Sequence, residues 1–185
     1  MTPEQLCKTL EQRFGAAVTA SAPGTSHPSV TVQAQAWPEV ARHLRDELHF
    51  SFLRCISALD LLEDDRFAAV YDFLAIRKPE HPHGYYSVEA EFAVRVEVPR
   101  GQPEIPSVAA VWPAADWHER EAYDLMGIVF TGHPDTVRDH DGLHPRRILC
   151  PDDWVGHPLR KDYLFPMEYH GIPATTEFEL TSPRH

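Results

Sequence analysis

Hydrophobic and polar positions along this chain keep a regular period through the first two thirds and lose it in the last third. Thr2-Pro3-Glu4-Gln5 reads as a capping box with proline at the first helical position, and Leu6, Leu10 and Phe14 then recur at i, i+4 and i+8. A short opening helix is predicted. Residues 20–29 are small, polar and bear Pro and Gly, hence a loop, after which Val30, Val32 and Ala34 alternate with Thr31, Gln33 and Gln35 as a first strand. Pro38 starts a second helix with Val40, Leu44 and Leu48 on one face. Phe50 to Leu59 is a second strand, closed by the acidic turn Asp60 to Asp65. Phe67 to Ile76 and Tyr86 to Val98 are two more, joined by residues 77–84. The last is the cleanest strand of all, with Val88, Ala90, Phe92, Val94, Val96 and Val98 on one face and mostly polar residues on the other. The order α-β-α-β-β-β predicts an α+β fold, a mostly antiparallel four-stranded sheet with helices packed on one face.

A linker, Val98 to Pro106, leads to a third helix, in which Asp116, with Glu119 three residues on, is the expected N-terminal cap and Gly127 the stop. On a helix of 3.6 residues per turn Trp117, Arg120, Glu121 and Asp124 share one face, and Glu119 falls on the less polar side beside Tyr123 and Met126. Arg120 and Asp124 are spaced to pair. An exposed Trp among opposite charges is typical of an interface anchor. Beyond Gly127 no period persists, and residues 128–185 hold seven of the 17 prolines and six of the 12 histidines. Their scattered aromatics, Phe130, Trp154, Tyr163, Phe165, Tyr169 and Phe178, cannot form a core of their own, so the segment is disordered or docks them one by one on another surface. Its Trp and Tyr content favours docking. Arg146-Arg147 and Arg160-Lys161 would add directional ionic contacts between those anchors. The expected division is therefore a domain over 1–127 and a docking arm over 128–185.

The formal charge of -11, from 17 basic and 28 acidic residues, argues against general nucleic-acid binding, which rests on phosphate neutralisation. Fourteen of the basic residues are Arg and three are Lys, a bias that suits bidentate pairing in interfaces. No window approaches the ~20 apolar residues that cross a bilayer, and the N-terminus offers no basic segment followed by an apolar one. The chain is expected to stay in the cytoplasm and to reach a membrane only through partners. Cys7, Cys55 and Cys150 are widely spaced and odd in number, as reduced thiols would be, and a cysteine-ligated iron-sulfur cluster normally takes four. There is no phosphate or dinucleotide loop. His133, Asp139, His140, Asp141 and His144 are the one tempting metal cluster, but Gly142 and Pro145 break any helix that would align them, and a solvated loop is the expectation.

Glu119-Arg120-Glu121, Tyr123-Asp124, Gly127-Ile128, His133-Pro134, Arg146-Arg147-Ile148-Leu149 and the run Gly156 to Tyr163 occur in an order and spacing that closely resembles the signature region of the 30 kDa-type subunit of the proton-pumping NADH:quinone oxidoreductase family (respiratory complex I). Residues 135–145 interrupt that pattern as an insertion. The resemblance implies a scaffold subunit with no redox group of its own, the FMN, iron-sulfur clusters and quinone being held by sister subunits. It also implies that the C-terminal extension wraps the large subunit that forms much of the quinone cavity, next to its cluster-bearing neighbour. The expected partner interface comprises Trp117, Glu119, Arg120, Glu121, Asp124, His133, Arg146, Arg147, Trp154, His157, Arg160, Lys161, Asp162 and Tyr163. The alternatives are the equivalent subunit of a membrane-bound hydrogenase or a ferredoxin- or F420-fed relative, and a small metal-dependent hydrolase using the inserted loop.

Overall fold

A computed structural model describes residues 2–20, 29–79, 84–140 and 142–173. Most of the 20–29 loop, the hairpin tip at His81-Pro82-His83, Asp141 and Phe178 lie outside the described residues. Helix α1 (Pro3–Phe14) carries the predicted capping box, the Gln5 N–H donating to Thr2 Oγ1 (3.3 Å) and the Thr2 N–H to Gln5 Oε1 (2.9 Å). Its Leu6 and Leu10 are buried. A short strand, β1 (Val18–Ala20), follows and pairs antiparallel with β2 (Ser29–Val32). Ala34 to Ala36 form a 3-10 turn instead of prolonging the strand, and deliver the chain into α2 (Trp37–Asp46), with Pro38 in its first turn.

Strands β3 (Phe52–Leu61), β4 (Arg66–Arg77) and β5 (Ser87–Pro99) pair antiparallel in succession. The sheet order is β1-β2-β5-β4-β3, and β2 lies parallel to β5. The expected four-stranded sheet is thus five-stranded and mixed. Alternation could not reveal β1, because a three-residue strand with one buried position, Val18, has no period to detect. Nor does alternation fix pairing direction: the connection from β2 through α2, β3 and β4 returns β5 alongside β2 in the same sense.

One face of the sheet is the core face. Its register places Ile56 opposite Tyr71 and Tyr71 opposite Val94, with Phe73 opposite Phe92 and Phe67 opposite Val98. Trp37 from α2 and Trp112 from the loop before the third helix pack there, with ring centroids 4.6 Å from Tyr71 and 4.5 Å from Phe73 respectively. The Trp112 indole N–H donates to the buried Phe50 carbonyl (2.9 Å), so this large ring is sequestered without stranding its polar atom. Asp60 falls in the same inward register, opposite Phe67, at the end of β3.

Helix α3 (Ala115–Met126) packs along β3 and ends as predicted at Gly127, whose φ of +73° suits a residue without a side chain. Its start differs: Asp116 lies inside the first turn and gives no side-chain cap. Strands β6 (Glu104–Pro106) and β7 (Val129–Thr131) then pair in parallel, placing Ile105 opposite Phe130. Ile128 and Phe130 are buried in the same core as Tyr71, so the packed body runs on past Gly127. Within the insertion, β8 (Thr136–Asp139) and β9 (Gly142–Pro145) form an antiparallel ladder, β9 resting on α3 and β7. Past Pro145 the only regular pairing among the described residues joins β10 (Glu168–Tyr169) to β11 (Ile172–Pro173).

Because Phe130 is as fully enclosed as Phe73, Phe130→Ala should destabilise the isolated chain by about 3–5 kcal/mol in urea unfolding. A change near zero would place residues 128–131 outside the core.

Candidate partner interface and the site that anchors it

Asp124, two residues before the end of α3, has a side chain with no solvent exposure. Its Oδ1 accepts from Arg147 Nη1 (2.8 Å), while Oδ2 accepts the backbone N–H groups of Ile148 (3.0 Å), Leu149 (2.7 Å) and Cys150 (2.9 Å). Burial pushes the carboxyl upward, but the three amides and the guanidinium outweigh it and hold Asp124 below the ordinary carboxylate range. The same residue's carbonyl accepts from Arg147 (3.3 Å) and from His157 Nδ1–H (3.0 Å), and Arg147 Nη2 reaches the Gly156 carbonyl (3.1 Å). One acid thereby gathers the irregular segment from 147 to 157 onto the helix end.

A second acid does the same for the next residues. Asp60 pairs with Arg100 and accepts the Lys161 backbone N–H (2.8 Å), and Arg100 reaches on to Asp162 (2.6 Å). The Arg160 guanidinium bonds the Met126 carbonyl through Nε (2.8 Å) and lies 4.9 Å from the Phe67 ring, over which Arg100 also sits at 4.6 Å. Gly127 admits this packing, since a Cβ there would collide with the Arg160 guanidinium and the His157 ring. Desolvation takes His157 down to about 4, with Arg160 and Arg147 adding to it against the bond to the Asp124 carbonyl, so the ring is a neutral donor.

Glu119 points the other way, into the body, with no exposure. It accepts from the Val108 N–H (2.8 Å) and the Ser107 hydroxyl (2.5 Å), and lies 3.9 Å from His133 Nε2. Desolvation raises it to about 7 against the pull of the Ser107 and Val108 bonds, and Asp116 adds to the rise. His133 Nε2 lies 3.1 Å from the Asp116 carbonyl, and Nδ1 meets both the Asp135 N–H (3.1 Å) and the Asp135 carbonyl (3.0 Å).

The expected interface residues therefore divide. Glu119, Asp124 and His133 are buried, Arg147, His157 and Arg160 are tied to α3, and the Tyr163 hydroxyl donates to the Val155 carbonyl (2.9 Å). Arg120 does not pair with Asp124 but bonds the Arg146 carbonyl (3.0 Å) and faces Asp135, because Asp124 turns toward the arm. Arg146 also meets Asp135 (3.1 Å). Trp117, 63% exposed with Arg120 over its ring, Glu121 and the side chain of Lys161 remain on the surface, and Trp154 is half-buried. Sequence reasoning does not find Asp60, Phe67, Arg100 or Ser107. Only Asp60 leaves a trace, in its i+2 spacing from Ala58 and Ile56.

Around these bonds large apolar side chains face water, among them Leu149, Val155, Leu159, Phe165, Met167 and, at 89% exposure, Leu164. Among the described residues no group of three or more His, Cys, Asp or Glu is placed to hold a metal, and no helix is long and apolar enough to cross a membrane. In the inserted loop His144 stacks on Tyr123 (4.4 Å) and faces Asp139 (3.0 Å).

The family model described as the respiratory-chain NADH dehydrogenase 30 Kd subunit matches residues 30–170. The NADH-quinone oxidoreductase C subunit of Chloroherpeton thalassium is 41% identical over 172 residues, covering 91% of this chain and 64% of the relative. The Chlorobium phaeobacteroides protein of the same name is 39% identical over 166 residues, covering 88% and 89%. Among solved structures, the trypsin-resistant fragment (1-134) of Nqo5 superposes with a TM-score of 0.58 at 33% identity, covering 71% of this chain and 98% of the fragment. A component of the membrane-bound sulfane sulfur reductase, an archaeal respiratory membrane complex, shares the fold at 20% identity (TM-score 0.54, covering 78% and 82%).

The two buried acids make distinct predictions. Asp124→Asn leaves Arg147 and three amides competing for one oxygen, at a cost of about 3–5 kcal/mol. Hydrogen exchange should show the amides of 148–150 losing protection while β4 and β5 keep theirs, and unchanged protection at 148–150 would remove Asp124 from its anchoring role. Glu119, ordinarily near 4.5, binds its proton in the folded chain up to about 7. Its contribution is therefore complete below pH ~4.5 and lost as pH rises to ~7, by about 3 kcal/mol at most. Glu119→Gln should flatten that decline in pH-dependent urea melts, and an undiminished slope would show that another group carries it.

Proposed function

The chain belongs to the family of the 30 kDa subunit of the respiratory-chain NADH dehydrogenase, and from that premise we propose that it is a peripheral scaffold subunit of a proton-translocating NADH:quinone oxidoreductase. The supporting observation is the inversion at the arm: its polar groups are bonded to its own body while its large apolar side chains face outward. Such a surface is stabilised when another protein covers it. Its partners on this reading are the large quinone-site subunit and its cluster-bearing neighbour, with the chain on the cytoplasmic side and meeting the membrane through them. Catalysis then needs from this chain only that it hold its neighbours in register. FMN, iron-sulfur clusters and quinone stay in sister subunits, which pass electrons from NADH to quinone. The names of the relatives do not favour a hydrogenase-type assignment. Nor does the inserted loop favour a hydrolase, since His144 and His133 are engaged with Asp139, Tyr123, Asp116 and Asp135.

Leu164→Glu with Phe165→Glu alters exposed positions alone, so the purified variant should melt like the parent within ~0.5 kcal/mol. In membranes it should fail to enter the complex, and NADH:quinone activity should fall by at least about ten-fold, the effect of roughly 1.4 kcal/mol of lost interface. NADH oxidation by a small artificial acceptor should persist. Normal assembly and full quinone reduction by this variant would count decisively against the docking surface.

A further inference from the structure

The last described turns of the arm enclose an open groove of about 650 Å³. Three aromatic rings, Trp154, Tyr163 and Tyr169, and three carboxylates, Asp153, Asp162 and Glu168, contribute to its lining. Trp154 and Tyr169 stand 5.2 Å apart, inclined by 52°. The Trp154 indole N–H is buried and has no acceptor within the described residues. With that N–H out of reach, Trp154 offers the groove its ring.

The charges in the groove are unequally engaged. Arg160 is turned to the Met126 carbonyl and the Phe67 ring, and His157 is neutral and bonded to the Asp124 carbonyl. Neither presents a free cation to an occupant. Asp153 takes the Tyr169 hydroxyl (2.7 Å) and the exposed His170 (2.6 Å), and Asp162 is shared with Arg100. Glu168 is exposed and has no ion pair among the described residues. Aromatic faces beside carboxylates attract cations.

We infer that this groove receives an arginine or lysine carried on an extended segment of a partner subunit. The inference deepens the docking role proposed above and rests on it. Two other occupants fit the charges less well. Residues 174–185 of this chain carry Glu177 and Glu179 against Arg184, an acidic excess, and a second copy would bring its own net charge of -11 to an acidic groove.

The test uses the assembled complex purified from membranes. Glu168→Lys should lower retention of the chain in the complex, as salt is raised, by about five-fold, Glu168→Gln should have a smaller effect, and Trp154→Leu, which removes an aromatic face, should weaken retention comparably. In parallel, Met167→p-benzoylphenylalanine is irradiated in the complex and the captured peptide is sequenced; a sister-subunit peptide bearing Arg or Lys supports the inference. Parental retention of Glu168→Lys, or capture of an acidic peptide, of residues 174–185 or of a second copy, overturns it. Should the unaltered chain fail to co-purify with any sister subunit, it is the docking role itself that falls.

Discussion

The course of the arm from Arg147 to His157 hangs on one buried carboxylate. Asp124 is removed from water at the end of α3 and compensated by a guanidinium and three successive backbone amides. A buried carboxylate with fewer partners would protonate or drag the helix end open, whereas four donors make the ionised form the stable one. The consequence is geometric. Because the donors come from Arg147 to Cys150, the chain must turn back over α3 at that point, and the Asp124 carbonyl fixes His157 on the same spot. The Asp60 and Arg100 pair then catches residues 161 and 162 over the core face of β3 and β4.

That arrangement inverts the usual order of a small domain, in which apolar groups are gathered and polar ones left wet. Between Arg146 and Tyr163 most of the polar groups that leave water are satisfied inside the chain, the Trp154 indole N–H excepted, and Leu149, Val155 and Leu159 are left outside. Ordering the arm before it meets a partner removes much of the conformational entropy that a disordered segment would lose on binding. An apolar surface follows, whose buried charges are paired within the chain.

What the sequence made legible was what repeats. The capping box of α1, the alternation of β5 and the glycine stop of α3 each declare themselves through a period or a fixed offset, and each is present. The parallel β6–β7 pair and β1 are three residues long, too short to carry a period. The arm has no core legible in its sequence, and its anchors are bonds from side chains to backbone atoms across 23 to 101 positions, which leave no spacing to find. The polar residues of α3 show that something docks there. They cannot show that the first thing to dock is the chain's own tail.

The preference for arginine over lysine takes its meaning from the same constraint. Arg147 must satisfy the Asp124 carboxylate, the Asp124 carbonyl and the Gly156 carbonyl at once, which calls for donors fanned in a plane. Arg160 must bond the Met126 carbonyl while lying against Phe67, a flat cation on a flat ring. An ammonium group has neither the spread nor the face for these tasks, and in half-buried positions its stronger hydration would oppose the contact. Lys161, by contrast, contributes its backbone N–H to Asp60 and leaves its side chain at the surface, where no such geometry is asked of it. The basic residues within each pair are therefore not equivalent: Arg147 and Arg160 bond the end of α3, whereas Arg146 pairs with Asp135 and Lys161 leaves its side chain at the surface.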